Sequence, residues 1–185
     1  MSEKEKMLAG ELYNADYDEE LINLRLEAKE LCFKYNFLSP KDSEKKKEIL
    51  EELFKSSLDR CCIEPNFYCD YGFNISVGKN FYSNHNLVIL DANKVKFGDN
   101  VFIGPNCGFY TSGHPLDYET RNKPLEYAKP ITVGDNVWIG GNVCVMPGVK
   151  IGDNCVIGAG SVVTKDIPSG TVALGNPCRV VKEIK

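Results

Sequence analysis

The sequence predicts a mainly β fold, a parallel β-helix over residues 61–185 preceded by a short α-helical segment over residues 1–60. Three observations predict it. Residues 131–170 read ITVGDN-VWIGGN-VCVMPG-VKIGDN-CVIGAG-SVVTKD-IPSG, a six-residue period held in register. The same period appears earlier, as ISVGKN from Ile75 and as VKFGDN-VFIGPN-CGFY from Val95. The first sixty residues lack it and carry helix-spaced apolar residues instead.

In that opening segment, Ser2 and Glu5 have the spacing of a capping box for a first helix. Leu21, Leu24, Ala28, Leu31, Cys32 and Tyr35 form the apolar stripe of a second, with Asp16 or Asp18 placed to cap it. Ser39-Pro40 breaks the chain, and a third stretch carries Ile49, Leu50, Leu53, Phe54 and Leu58. The run Lys45-Lys46-Lys47 lies among glutamates and reads as a solvated face. These helices are too short to enclose a core and are expected to pack on the repeat region.

The period has a physical meaning. Apolar residues at positions one and three of each hexad fit a brief strand with both side chains inward. Gly-Asp-Asn or Gly-Gly-Asn then supplies residues that tolerate a turn. A chain built this way coils, stacks its strands in parallel and buries one apolar column. Cys107 and Cys155 occupy inward slots, so cysteine here serves as a small hydrophobe. The other six cysteines form no CxxC pair, and with only two histidines in the chain no zinc site is expected.

Between Tyr110 and Lys129 the column would have to accept Glu119 and Arg121 in inward slots, which burial forbids. Residues 111–128 are therefore predicted to leave the coil as a protruding loop. This loop holds His114, within YTSGHP. The residues alone leave two readings of His114 open, a solvent-exposed histidine or a general base.

Composition narrows the function. The net charge of −4 argues against nucleic acid. No apolar run is long enough to span a bilayer, and the charged start, MSEKEKMLAGELY, lacks a signal-peptide core. A cytoplasmic protein without membrane contact is expected.

The chain resembles the maltose and galactoside O-acetyltransferase family of hexapeptide-repeat acyltransferases. The resemblance runs nearly end to end, through KMLAGELY, IEPNFYCDYGFNISVGKNFYSNHN, TSGHP, KPITVGDNVWIGGNVCVMPGVKIGDN and GAGSVVTKDIPSGTVALGNPCRVV. It implies a left-handed β-helix with three hexads per coil, a homotrimer with sites between subunits, and acetyl-CoA as donor to a sugar such as maltose or glucose. No metal is expected to be required. The resemblance gives His114 the role of general base and Asn84 that of acceptor binding beside the histidine of an adjacent subunit. Asp70, Asp91 and the N-terminal Asp16 are the further acceptor-side candidates. Ala92 stands where some relatives carry another aspartate. On the donor side the candidates are Gly141, whose N–H suits an oxyanion, Ala159, Thr164, Lys165, Arg179 and Lys182. Trp138 points outward from the repeat, against cofactor, substrate or a neighbouring subunit. His85 falls where the family requires no histidine and is expected to be structural.

Other readings share the scaffold. A galactoside, an oligosaccharide or a xenobiotic alcohol remains open as acceptor. A serine acetyltransferase would need a larger helical domain, antibiotic-acetylating relatives lack this helical start, and a γ-type carbonic anhydrase would need a third histidine. A non-catalytic scaffold would need neither TSGHP nor the terminal signature.

Overall fold

Three helices open the chain in the computed structural model, which describes residues 1–184. α1 spans Glu3–Ala9, and its capping box forms: Ser2 Oγ accepts from the Glu5 N–H at 3.2 Å, and Glu5 Oε2 from the Ser2 N–H at 2.8 Å. α2 spans Glu19–Phe37. Of its two candidate caps Asp18 is the one that accepts, from the Leu21 N–H at 2.9 Å. α3 spans Ser43–Phe54. The two-residue strand Tyr13–Asn14, between α1 and α2, was not legible in the pattern.

The chain then winds into a three-sided prism. The first face holds Cys62–Ile63, Tyr82–Ser83, Phe102–Ile103, Trp138–Ile139, Val156–Ile157 and Thr171–Leu174, closed by the antiparallel strand Arg179–Glu183. The second face holds Phe67–Cys69, Leu87–Leu90, Gly108–Tyr110, Cys144–Val145 and Val162–Val163. The third holds Ile75–Ser76, Val95–Phe97, Ile131–Val133 and Lys150–Ile151. Pairing between coils is parallel and in register, as Ile131 on Val95 and Val133 on Phe97 illustrate.

The hexad slots behave as their chemistry requires. Val137, Ile139, Val143 and Val145 are fully buried, whereas Trp138 between the first two is 59% exposed. Burying each such side chain contributes about 1.5–3 kcal/mol. The turns use asparagine in the left-handed region, at Asn100, Asn136 and Asn154 among others. These stack as a ladder, the Asn100 amide donating to Asn136 at 3.1 Å and that of Asn136 to Asn154 at 3.2 Å. Glycine precedes the Asp-Asn pair because coils approach closely there. A Cβ on Gly134 would meet Asp153 Oδ1 at 2.1 Å, while Asp153 Oδ1 itself accepts from the Asp135 N–H at 2.8 Å.

The column needs a lid, and the helices provide it. Ala28, Cys32, Tyr35, Leu50, Leu53 and Phe54 join the prism residues in one core. Phe67, in the first coil, meets Phe54 and Tyr35 edge-on, with ring centroids 5.9 and 6.5 Å away. Among the described residues no helix is long and apolar enough to cross a membrane. Of the cysteines, Cys32, Cys69, Cys107, Cys155 and Cys178 are buried. Cys62 is exposed, because it takes the outward position of its strand.

The interruption is an excursion, but not an irregular one. It leaves the edge between the second and third faces as a hairpin. Ser112–Gly113 pairs antiparallel with Leu125–Ala128, which pairs in turn with Tyr13–Asn14, and the one-turn α4, Tyr118–Arg121, lies at the tip. The paired strands run from Ser112 to Ala128, against expected limits of about 111 and 128. Thr111 and Ala128 are fully buried, with Thr111 Oγ1 donating to the Leu90 carbonyl at 2.7 Å.

Candidate active site

The hairpin sets His114 over an open cavity of about 330 Å³. Tyr13, Ala15 and Asp16 reach it from the N-terminal strand and the turn after it, Arg25 and Lys29 from α2, Asp70 and Tyr71 from the first coil, and Glu126 from the returning hairpin strand. His114, Asp70 and Asp16, expected together on the acceptor side, line this one cavity.

The imidazole is held at one nitrogen. Nδ1 lies 3.3 Å from the Leu125 carbonyl oxygen. A carbonyl only accepts, so this contact favours the tautomer with hydrogen on Nδ1 and leaves a lone pair on Nε2. Nε2 lies 3.9 Å from Glu126 Oε1. Glu126 is itself fixed by the Tyr13 hydroxyl, which donates to Oε2 at 2.9 Å. Burial, then the charge of Glu126, raises the Tyr13 phenol and keeps it a donor. Arg25 donates to the Tyr71 hydroxyl at 2.8 Å and to the Ala15 carbonyl at 2.6 Å, tying α2 to two other walls.

Asp70 presents its carboxylate to this space. Burial pushes it up to about 6; Arg25 and Lys29 pull it down, and Glu126 pushes it up. Asp91 is corrected from its expected place. It is fully buried behind the cavity wall, where Oδ1 accepts from the Asp70 and Tyr71 N–H groups at 3.0 and 2.8 Å and Oδ2 from the Asn74 N–H at 3.3 Å. Burial pushes it up to about 7 in spite of these donors. Asp91 therefore holds the backbone that carries Asp70.

The remaining candidates divide between the edges of the prism. Asn84, Gly141 and Ala159 lie where the first face turns into the second, and Arg179 pairs with Leu174 at the end of the same row. A Cβ on Gly140 would strike the Ala159 nitrogen at 2.6 Å, so glycine is required for the coils to stack here. The Gly141 and Ala159 N–H groups make no backbone hydrogen bond among the described residues. Asn84 Oδ1 accepts from the His85 N–H at 2.7 Å, and His85 contacts the Pro65 carbonyl through Nδ1. Thr164 and Lys165 follow the strand Val162–Val163 on the other edge, the one that carries Asp70 and the hairpin. Lys182 pairs with Val172 across the first face. Within one chain, Asn84 and Gly141 do not join His114. Sequence reasoning missed Glu126, Tyr13, Tyr71, Arg25 and Lys29, which belong to no repeat; the charge at inward slots flagged only the excursion that holds Glu126.

Residues 6–57 match the maltose acetyltransferase hexapeptide capping motif, and residues 130–165 match the bacterial transferase hexapeptide of six repeats. A Saccharomyces cerevisiae protein provisionally named an acetyltransferase is 58% identical over 180 residues, covering 97% of this chain and 92% of its own. The crystal structure of a maltose O-acetyltransferase from Clostridium difficile 630 superposes with a TM-score of 0.98 at 51% identity, covering 100% of this chain and 98% of that one. A galactoside acetyltransferase in complex with coenzyme A gives 0.96 at 46% identity, covering 100% and 92%. With the capping helices, the hexapeptide prism and end-to-end similarity in hand, the chain belongs to the maltose and galactoside O-acetyltransferase family of hexapeptide-repeat enzymes and is an acetyltransferase.

Proposed function

We propose that this enzyme moves an acetyl group from acetyl-CoA to a hydroxyl of a sugar such as maltose or glucose, with His114 as general base. The observation that carries this is the imidazole fixed at Nδ1 by the Leu125 carbonyl, with Nε2 left to face a cavity lined by Asp16, Asp70 and Glu126. Carboxylates suit a polyol, because each accepts hydrogen bonds from hydroxyls. His114 takes the acceptor proton at Nε2 as the sugar oxygen adds to the thioester carbonyl. Glu126 stabilises the imidazolium so formed, and the Gly141 N–H holds the developing oxyanion. When the carbon–sulfur bond breaks, His114 returns the proton to the departing thiolate, giving an acetyl ester and free coenzyme A.

The chain's own residues fit the donor. Beyond Gly141, the free N–H at Ala159 suits an amide of its arm, and Arg179, Lys182, Thr164 and Lys165 suit its phosphates. Apart from Lys182, these groups lie on two edges, and so do His114 and Asn84. The site is therefore completed between chains: the edge bearing His114, Asp70, Thr164 and Lys165 faces the edge of the next chain bearing Asn84, Gly141, Ala159 and Arg179. The outward surfaces support such packing. The first face shows Tyr82, Phe102, Trp138 and Val156 outward; the third shows Ser76, Lys96, Thr132 and Lys150. A closed homotrimer places three equal sites at its three interfaces.

Release of thiol from acetyl-CoA, followed over a panel of maltose, glucose, galactosides and simple alcohols, tests the reading. Sugar-dependent release and an O-acetyl sugar by mass spectrometry are expected. Release that depends on none of these acceptors would overturn it.

A further inference from the structure

A second groove adjoins the acceptor cavity along α2, with Lys29 lining both. Arg25, Lys29, Phe33 and Phe37 stand at intervals of four, so they form one row along the helix. Arg25 and Lys29 line the cavity beneath His114, whereas Lys29, Phe33 and Phe37 line a neighbouring groove of about 360 Å³. The opposite wall is equally continuous. Tyr68 and Cys69 face the groove, and the next two residues, Asp70 and Tyr71, face the cavity. Lys29 borders both. The row from Arg25 to Phe37 spans about 18 Å at the helical rise, several times the size of one sugar ring.

The chemistry changes along this path. Carboxylates give way to three aromatic rings that burial would normally claim: Phe33 is 59% exposed, Phe37 78% and Tyr68 52%. Phe33 and Phe37 lie with ring centroids 4.8 Å apart. The side chain of Asn36 is committed to the Phe67 backbone, donating to its carbonyl at 2.9 Å and accepting from its N–H at 2.8 Å. An exposed aromatic platform covers the apolar C–H face of a sugar ring and leaves its hydroxyls in water, so it needs few polar partners.

We infer that the groove formed by Phe33, Phe37 and Tyr68 is an extended acceptor subsite, which holds the next sugar unit of a di- or oligosaccharide whose reacting ring occupies the cavity of His114. This rests on the proposed sugar-acceptor function and narrows it to acceptors longer than one ring. The two readings fail differently. If no sugar is acetylated, the broader reading falls first; if glucose is acetylated, only the length preference is at issue.

The test compares kcat/KM for glucose, maltose, maltotriose and an octyl glucoside, in the wild type and in the double variant Phe33→Ala, Phe37→Ala. Both positions are exposed, so folding is expected to survive, and melting curves check this. Wild-type kcat/KM is expected to rise from glucose to maltose or maltotriose. In the variant it should fall about ten-fold for the longer sugars, the worth of one covered apolar face, and stay unchanged for glucose. Tyr68→Ala should repeat this pattern. Equal wild-type kcat/KM for all three sugars would overturn the inference, as would an equal loss for glucose and maltotriose in a folded variant. Octyl glucoside matching or exceeding maltotriose would overturn it too, by showing that the groove takes a hydrocarbon rather than a sugar.

Discussion

At His114 one backbone carbonyl decides which nitrogen can work. Because Leu125 offers only an acceptor to Nδ1, the basic lone pair belongs to Nε2. His114→Ala should keep the fold and coenzyme A affinity and lower turnover about 10²–10⁴-fold, the usual contribution of a positioned base. Asparagine at 114 should not restore the rate, since an amide cannot take the proton. A folded alanine variant working at the wild-type rate would remove His114 from the mechanism. Asp70 carries a second prediction. Its carboxyl is raised from 3.8 to about 6, chiefly by burial, so the folded chain binds that proton more tightly than the unfolded one. Its stabilising effect is complete below about 4 and is lost as pH rises through about 6. Asp70→Asn should therefore melt higher than the wild type at pH 8, with the gain vanishing at pH 4, while its KM for the acceptor rises. Melting curves at the two pH values decide this; an equal shift at both would mean that charge is not the cause.

Among the elements, the hairpin 112–128 and the N-terminal segment depend on each other. Asn93 joins them to the prism. Its buried amide donates to the carbonyls of Met7, Leu8 and Ala128 at 3.2, 3.3 and 3.2 Å, and its backbone N–H donates to Thr111 Oγ1 at 3.0 Å. Asn93→Ala leaves those carbonyls without this donor and should cost about 1–3 kcal/mol in denaturant melts. Amide exchange over 112–128 should rise and acetylation should slow, because His114 and Glu126 ride on the loosened hairpin. Unchanged exchange with lost activity would place Asn93 in the chemistry instead.

For the whole molecule, the division of site residues between two edges makes a quantitative prediction. His114→Ala and Asn84→Ala chains, each of low activity alone, should complement when refolded together. With random mixing, roughly one interface in four joins an intact His114 to an intact Asn84, so about a quarter of wild-type activity should return. Sedimentation should show a trimer throughout. A mixture no more active than its parents would mean that His114 and Asn84 do not serve one site.

The coil was legible in the sequence because its causes are local. A slot such as Val137 or Ile139 must be apolar whatever happens elsewhere, and a turn residue such as Asn136 adopts its conformation from its own chemistry and its neighbours'. The excursion was legible for the same reason, since a narrow column cannot bury Glu119 or Arg121. The cavity was only partly legible. The interruption singled out His114, but its role, with Asp70 and Asp16, came from resemblance, and nothing in their spacing showed that they would meet. Glu126, Tyr13 and Arg25 obey no period; they converge because the hairpin pairs with a strand more than a hundred residues earlier, which no local pattern encodes. Asp91 shows the converse. In sequence it is one more acid beside the site, and only burial and three backbone N–H groups reveal a carboxylate spent on holding Asp70. The repeat by itself determined the scaffold through short-range sterics and burial, whereas the tertiary structure decided which side chains share a space, because that depends on contacts far apart along the chain.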